Sequence, residues 1–321
     1  MQKQIQRIAS KVKNEHDFLI LGHISPDGDT LGSGLALLLA LEQMGKSAIF
    51  AVDGSVPEKL KFLKKYAFVY NAKTLPKFQY HTVIAVDVSD PDRLGEFEQY
   101  YMEHGNTVVI DHHVTNNGFA HENLVLPYGA TGQIILELIE ALGVALNVEM
   151  ANALYTALCT DTGNFSYSNT DASLLAAAAK LRAAGAEIPW LIETIYKRRS
   201  FGATKLIGQA IDRMQLTKSK KIAYTYIEQK DYETLQALAE DTDELVNYAR
   251  EVEGVEIAVF MRQIGPARYK ISLRSKQYAD VSRLASEFGG GGHKFAAGCN
   301  LNGERKEVEK KILAAAEKYI R

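Results

Sequence analysis

Cysteine is nearly absent from this chain. Cys159 and Cys299 are its only two and stand far apart, which excludes a disulfide framework and a CxxC metal site. Both are expected as buried, reduced thiols. No apolar run is long enough to cross a bilayer. The opening MQKQIQRIASKVKNEHD (residues 1–17) is a polar amphipathic helix without the apolar stretch of a secretory signal. A cytoplasmic protein with no membrane partner is therefore expected. A basic surplus is missing as well, since 37 Lys and Arg face 39 Asp and Glu. Proteins that grip long nucleic acid by its backbone carry such a surplus, so any polynucleotide ligand should be short and locally held. GSGLALLLAL (32–41) lacks the Gly-Lys-Ser/Thr of a P-loop, and Gly22, Gly28, Gly32 and Gly34 lack the spacing of a dinucleotide fingerprint.

What the chain does have is length and alternation. At 321 residues it exceeds the size at which one core stops growing, so two domains are expected. FLILGH (18–23), SAIFAVD (47–53), HTVIAVDVS (81–89) and TVVIDHH (107–113) are apolar runs of strand length with helical or polar stretches between them. That pattern predicts a mostly parallel sheet with helices on both faces. Ligands of such sheets bind beyond the carboxyl ends of the strands. From Thr131 to Ile211 the pattern is mainly helical, with Gly143, Gly163 and Gly185 where helices should stop. After KSKK (218–221) strand-like segments return as IAYTYIEQ, GVEIAVFMRQ and RYKISLRS, and KEVEKKILAAAEKYI closes the chain as a helix. The expected fold is α/β: a parallel-sheet domain over 1–187, a helical linker over 188–217 and a smaller α/β domain over 218–321.

Three predicted strands run straight into ligand-type side chains. FLILGHISPDGDT delivers His23, Asp27 and Asp29; VIAVDVSD delivers Asp87; VVIDHH delivers Asp111, His112 and His113. One such end is an ordinary turn, with Pro26-Asp27-Gly28 bending the chain and Asp29 or Thr30 capping the next helix. Three ends that pool carboxylates and imidazoles on one rim are different, because like charges held together repel and are hard to desolvate. Cations remove that cost. Carboxylate with imidazole and no thiolate suits Mn²⁺, Fe²⁺ or Zn²⁺ better than Ca²⁺. Two such ions about 4 Å apart form a clamp for in-line phosphoryl displacement.

Taken in order, GHISPDGDTLGS, AVDVSD, DHHVTN and TDTGNF resemble the four motifs of the DHH phosphoesterase superfamily. SLRSKQYADVSRLASEFGGGGHKFAAG resembles the DHHA1 domain of its phosphodiesterase branch. The resemblance implies one Mn²⁺ on His23, Asp27 and Asp87 and a second on Asp29, Asp87, His112 and Asp161, with Asp87 shared; Mg²⁺, Fe²⁺ or Zn²⁺ are alternatives. On its own, Asp161 reads as a polar residue closing a helix before Gly163. The catalytic set implied is His113, Asp87 and Asp111, with Asp111 orienting a neighbour and His113 facing the substrate. Gly289, Gly290, Gly291, Gly292 and His293 are implied to grip the nucleotide, although four glycines alone would read as a hinge. Arg274 is the implied phosphate anchor and Arg262 a weaker one. Phe295 and Gln133 depart from the family pattern without touching a ligand position.

The implied activity is Mn²⁺-dependent hydrolysis of very short single-stranded RNA to mononucleotides, with 3′-phosphoadenosine 5′-phosphate (pAp) as a second substrate. The nearest alternative is a cyclic di-AMP or pApA phosphodiesterase of the same family. A family II pyrophosphatase is disfavoured because the C-terminal domain has the glycine-rich stretch in place of a Ser-Arg-Lys-Lys signature. From another class, a non-catalytic nucleotide-binding regulator would have no need of every ligand. Homodimerisation is left open, and Lys197-Arg198-Arg199 reads as a solvated helix face.

Overall fold

The computed structural model describes residues 1–76, 79–242 and 244–321; Lys77, Phe78 and Asp243 lie outside the described residues, as do the side chains of Glu240 and His293. The apolar runs of the first half form β1 (Phe18–Gly22), β2 (Ala48–Val52), β4 (Thr82–Val86) and β5 (Thr107–Asp111), with short β3 (Val69–Tyr70) and β6 (Glu122–Val125) at the edges. These strands make a six-stranded parallel sheet in the order β3-β2-β1-β4-β5-β6. Around it lie α1 (Gln2–Asn14), α2 (Gly28–Gln43), α3 (Glu98–Glu103), α4 (Thr131–Leu142), α5 (Val148–Asp161), α6 (Ala172–Ala183) and α7 (Ile188–Ile192).

Both faces of this sheet are buried. Ile20, Ile84 and Ile110 join a core with α1, α2, α4 and α5, while Leu19, Leu21, Val83 and Val109 pack with Leu94, Phe97 and Tyr101. Burial on two faces is why these strands show unbroken apolar runs instead of alternation. Each fully buried Leu or Ile contributes roughly 1.5–3 kcal/mol. Gly143 and Gly185 stand with positive φ just after α4 and α6, where helices were expected to stop.

The chain divides into compact units Met1–Arg198 and Arg199–Arg321. Residues 188–217 split between them: α7 and the π-helical turn Glu193–Lys197 end the first, and α8 (Phe201–Asp212) and β7 (Gln215–Leu216) begin the second. The second unit adds β8 (Ile222–Ile227), α9 (Gln229–Leu235), α10 (Leu245–Glu251), β9 (Ile257–Gly265), β10 (Arg268–Ser275), α11 (Val281–Ser286), β11 (Gly291–His293), β12 (Ala296–Asn302) and α12 (Arg305–Ala316). Its mixed sheet runs β11-β12-β10-β9-β8-β7, with β8 and β9 parallel and the other pairs antiparallel. Alternation returns here: Tyr269, Ile271 and Leu273 of β10 are buried, and Arg268 and Lys270 are exposed. One buried acid of this unit is paired with a guanidinium. Arg213 donates to both carboxylate oxygens of Asp231, at 2.5 and 2.8 Å, and Arg213 and Arg305 both stand over the Tyr226 ring.

Candidate active site

The order of the first sheet reverses between β1 and β4, and the crevice beyond those two strand ends is where open parallel sheets hold ligands. His23 follows β1 and is buried. Its Nδ1 lies 2.7 Å from the Ile24 carbonyl, which can only accept, so Nδ1 carries the proton. Nε2 is left with its lone pair, 3.8 Å from Asp27 Oδ2 and 3.6 Å from Asp87 Oδ2. Asp27 caps α2: its Oδ1 accepts from the N–H groups of Asp29 and Thr30, both at 3.0 Å. The turn reading and the ligand reading of Asp27 are therefore both met, one carboxylate oxygen for each.

Asp87 leaves β4 with a left-handed φ of +62°. The hydroxyls of Thr30 and Thr131 donate to its two oxygens, at 2.7 and 3.0 Å. Asp29, in the first turn of α2, accepts from the N–H groups of Thr131 and Gly132 at 2.7 and 2.9 Å, so the start of α4 is docked on it. Asp161 is the last residue of α5. It reaches this rim because α2 and α5 pack so closely that a Cβ on Gly32 would come within 2.3 Å of the Ala153 carbonyl. His112 Nδ1 is 3.1 Å from the Tyr128 carbonyl, and its Nε2 lies 3.6 Å from Asp161 Oδ2, 3.8 Å from Asp87 Oδ1 and 3.9 Å from Asp29 Oδ2.

Asp111 at the end of β5 pairs with His113 Nδ1 at 2.7 Å and accepts from Asn116 Nδ2 at 2.8 Å. It therefore orients His113, whereas the ring N–H groups of His23 and His112 are taken by backbone carbonyls.

The electrostatics divide the acids: Asp27 and Asp111 are lowered, with His23 and His113 among the causes, and the others are raised. Burial pushes Asp29 well above the usual carboxylate range, and repulsion from Asp87, Asp161 and Asp27 adds to it. Burial also raises Asp87, and it pushes Asp161 to about 6. At His113, desolvation is outweighed by the Asp111 carboxylate, which lifts the imidazole to about 9. Three donor sets result, each with its ligand atoms within 4.8 Å of one another: His23, Asp27 and Asp87; Asp29, His112 and Asp161; Asp87, His112 and His113. Hard carboxylates mixed with imidazole, two sets meeting at Asp87, fit a pair of divalent cations.

The six expected metal positions are thus brought together. The expected nucleotide-binding residues lie in the second unit. Arg274 is on β10 and donates to the Leu273 carbonyl. Arg262 Nη1 is bound to the Ala239 carbonyl at 2.8 Å and Thr242 Oγ1 at 3.1 Å. The glycine stretch is a strand as well as a loop, because Gly291, Gly292 and His293 pair with β12. Gly289 closes α11 with φ +69°, and the N–H of Gly290 returns to the Ala285 carbonyl at 3.0 Å, a Schellman ending. The His293 side chain lies outside the described residues. Thr30, Ser33, Asn116 and Thr131 support the site without having been expected to. The only sequence signal for Thr131 is its place opening a predicted helix.

Residues 17–159 match the model of the DHH family, N-terminal domain, and residues 219–321 match that of the DHHA1 domain. Asp161 lies just beyond the first match. The chain is 32% identical to the bifunctional oligoribonuclease and PAP phosphatase NrnA of Thermus thermophilus, over 95% of this chain and 91% of that one. The chain belongs to the DHH family. Within it, the cyclic-di-AMP phosphodiesterase GdpP of Bacillus subtilis is 24% identical over 96% of this chain but 49% of its own length. An exopolyphosphatase-related protein from Bacteroides fragilis has the same fold, with a TM-score of 0.93 at 25% identity over 99% of this chain and 97% of that one. The DHH sequence itself, Asp111-His112-His113, supplies one imidazole to the second donor set and the Asp–His pair beside it.

Proposed function

We propose that this DHH-family chain is a Mn²⁺-dependent phosphohydrolase that degrades very short RNA to mononucleotides and dephosphorylates pAp to AMP. The observation that carries the reading is Asp87, common to two donor sets at the sheet's switch point. His23, Asp27 and Asp87 would hold one ion; Asp29, Asp87, His112 and Asp161 would hold the other. When bound, such a pair supplies charge neutralisation at phosphorus and lowers the pKa of a water to near neutrality. The protein's own residues supply orientation and a proton. Thr30 and Thr131 fix the Asp87 carboxylate, and the docked α4 fixes Asp29. His113, protonated at neutral pH through Asp111, donates to a phosphoryl oxygen or to the departing oxygen.

The second unit is assigned the nucleotide, through Arg274, Gly289–Gly292 and His293. Arg262 commits Nη1 to its own unit, which favours a supporting role. Relatives named for oligoribonuclease and PAP phosphatase activity support the substrate class. A second reading, cyclic di-AMP or pApA phosphodiesterase, is favoured by relatives so named that match nearly the whole of this chain. Rates on RNA of three to five nucleotides, pAp, pApA and cyclic di-AMP, with and without Mn²⁺, decide between them. Short RNA and pAp should turn over only with the metal. Fastest turnover of cyclic di-AMP would transfer the assignment to the second reading, and no turnover at all would leave a nucleotide-binding regulator.

A further inference from the structure

Arg93 belongs to the 3₁₀ segment Pro91–Phe97 that follows β4. Its carbonyl accepts the Ile24 N–H at 2.8 Å, which ties the segment after β4 to the segment after β1. The turn is locked two residues later. Gly95 adopts φ +58° and ψ −126°, and a Cβ there would come within 2.1 Å of Asp53 Oδ2, the oxygen that accepts the Glu96 N–H at 3.1 Å. Arg93 is therefore delivered to the active-site rim by backbone that has little freedom to move.

Its guanidinium stands with Nη2 at 3.3 Å from His23 Nδ1. That nitrogen already donates to the Ile24 carbonyl, so it has no lone pair to offer, and the guanidinium lies beside the ring as a charge. Asp27, Asp29, Asp87 and Asp161 crowd the same rim, yet among the described residues no carboxylate oxygen stands within 4.0 Å of Arg93. A half-buried guanidinium without a counter-ion is unfavourable. It also works against the site's other ligands, since a positive charge beside His23 repels any divalent cation held there. An arriving anion reverses both effects, and a guanidinium fork matches phosphate oxygens in particular.

We propose that Arg93 is a phosphate-binding residue of the first unit, taking anionic oxygens of the substrate's phosphate on the His23 side. The assignment rests on the phosphohydrolase reading and is tested separately from it. Inorganic phosphate is titrated into the Mn²⁺-loaded full chain by calorimetry, and Mn²⁺ into the metal-free chain, for wild type, Arg93→Ala and Arg93→Lys. Phosphate affinity should fall about tenfold to a hundredfold in Arg93→Ala, the loss expected for hydrogen bonds to a charged group, and less in Arg93→Lys. KM for any hydrolysed substrate should rise by a similar factor. Mn²⁺ affinity should stay the same or increase, because a repelling charge has gone.

Unchanged phosphate affinity overturns the proposal. So does a loss of Mn²⁺ affinity as large as the loss of phosphate affinity, which would make Arg93 a prop for His23. If Arg93→Ala does not fold, the Lys variant carries the same comparison. Wild type that binds phosphate through Arg93 yet hydrolyses none of the four substrates leaves this proposal standing and removes the hydrolase reading. Wild type that binds no phosphate overturns this proposal, while the hydrolase reading still stands or falls on turnover of the four substrates.

Discussion

Asp29 and Asp231 are both buried carboxylates, one in each unit, and they are treated in opposite ways. Asp231 meets the fork of Arg213, and against desolvation that pairing holds its pKa below the usual value. Asp29 meets two backbone N–H groups and a serine hydroxyl but no cation, while Asp87 and Asp161 crowd it. In the second unit the acid is answered by a cation of its own fold. At the rim of the first sheet Asp29, Asp87 and Asp161 are crowded together and raised. An acid compensated by its own chain belongs to stability, and acids crowded together are the ones a bound cation would serve.

The largest expected consequence follows from removing the shared carboxylate. Asp87→Asn keeps one oxygen to accept from Thr30 or Thr131 and turns an N–H toward the other hydroxyl, which can accept it, so the fold should survive while hydrolysis falls on the order of a thousandfold or more. Circular dichroism and turnover of a trinucleotide check the two halves, and an active variant would end the bridging role. In the second unit the order inverts. Arg213→Ala strands Asp231 and should destabilise the chain by about 3 kcal/mol in urea unfolding. The folded fraction should keep its hydrolytic rate on a small phosphodiester.

The contrast extends to pH. Asp161 is raised in the folded state, from 3.8 to about 6, so in the metal-free protein it favours folding below 3.8 and that contribution is lost as pH rises through about 6. Asp231 is depressed, so its contribution is present above 3.8 and is lost as pH falls through its folded value. Asp161→Asn should therefore flatten the metal-free stability curve between 3.8 and about 6, by about 1–3 kcal/mol. A stability curve with the wild-type slope would show that the crowding at Asp161 is already relieved. The smallest effect belongs to the glycine stretch. At Gly289 an added methyl meets nothing within 4 Å, so Gly289→Ala should cost about 1 kcal/mol, from its positive φ alone. Nucleotide affinity that does not fall with it would remove Gly289 from the nucleotide-binding set.

Much of this was legible because the first sheet is buried on both faces. Unbroken runs such as TVVID announce a parallel strand, and the groups at its end are then placed by topology. Edge strands gave no such signal: Val69–Tyr70 is too short, and Glu122–Val125 is only partly buried. In the second unit β12 was hidden because AAGCNLN is small and polar, and GGGG reads as loop until β12 is seen beside it. The aspartates of the site stand in quotable motifs, but their supports do not. Thr131 reaches Asp87 across 44 residues and Arg93 reaches His23 across 70, distances that only the folded chain closes. Trp190 is 45% exposed and packs edge-on against Phe62.

One backbone angle sets the chemistry against endurance. At φ +62° Asp87 occupies ground that glycine or asparagine would hold with less strain. Selection for heat resistance alone should drift toward those two residues at this position. On the proposed hydrolase reading, the end of β4 is where the chain surrenders robustness for work.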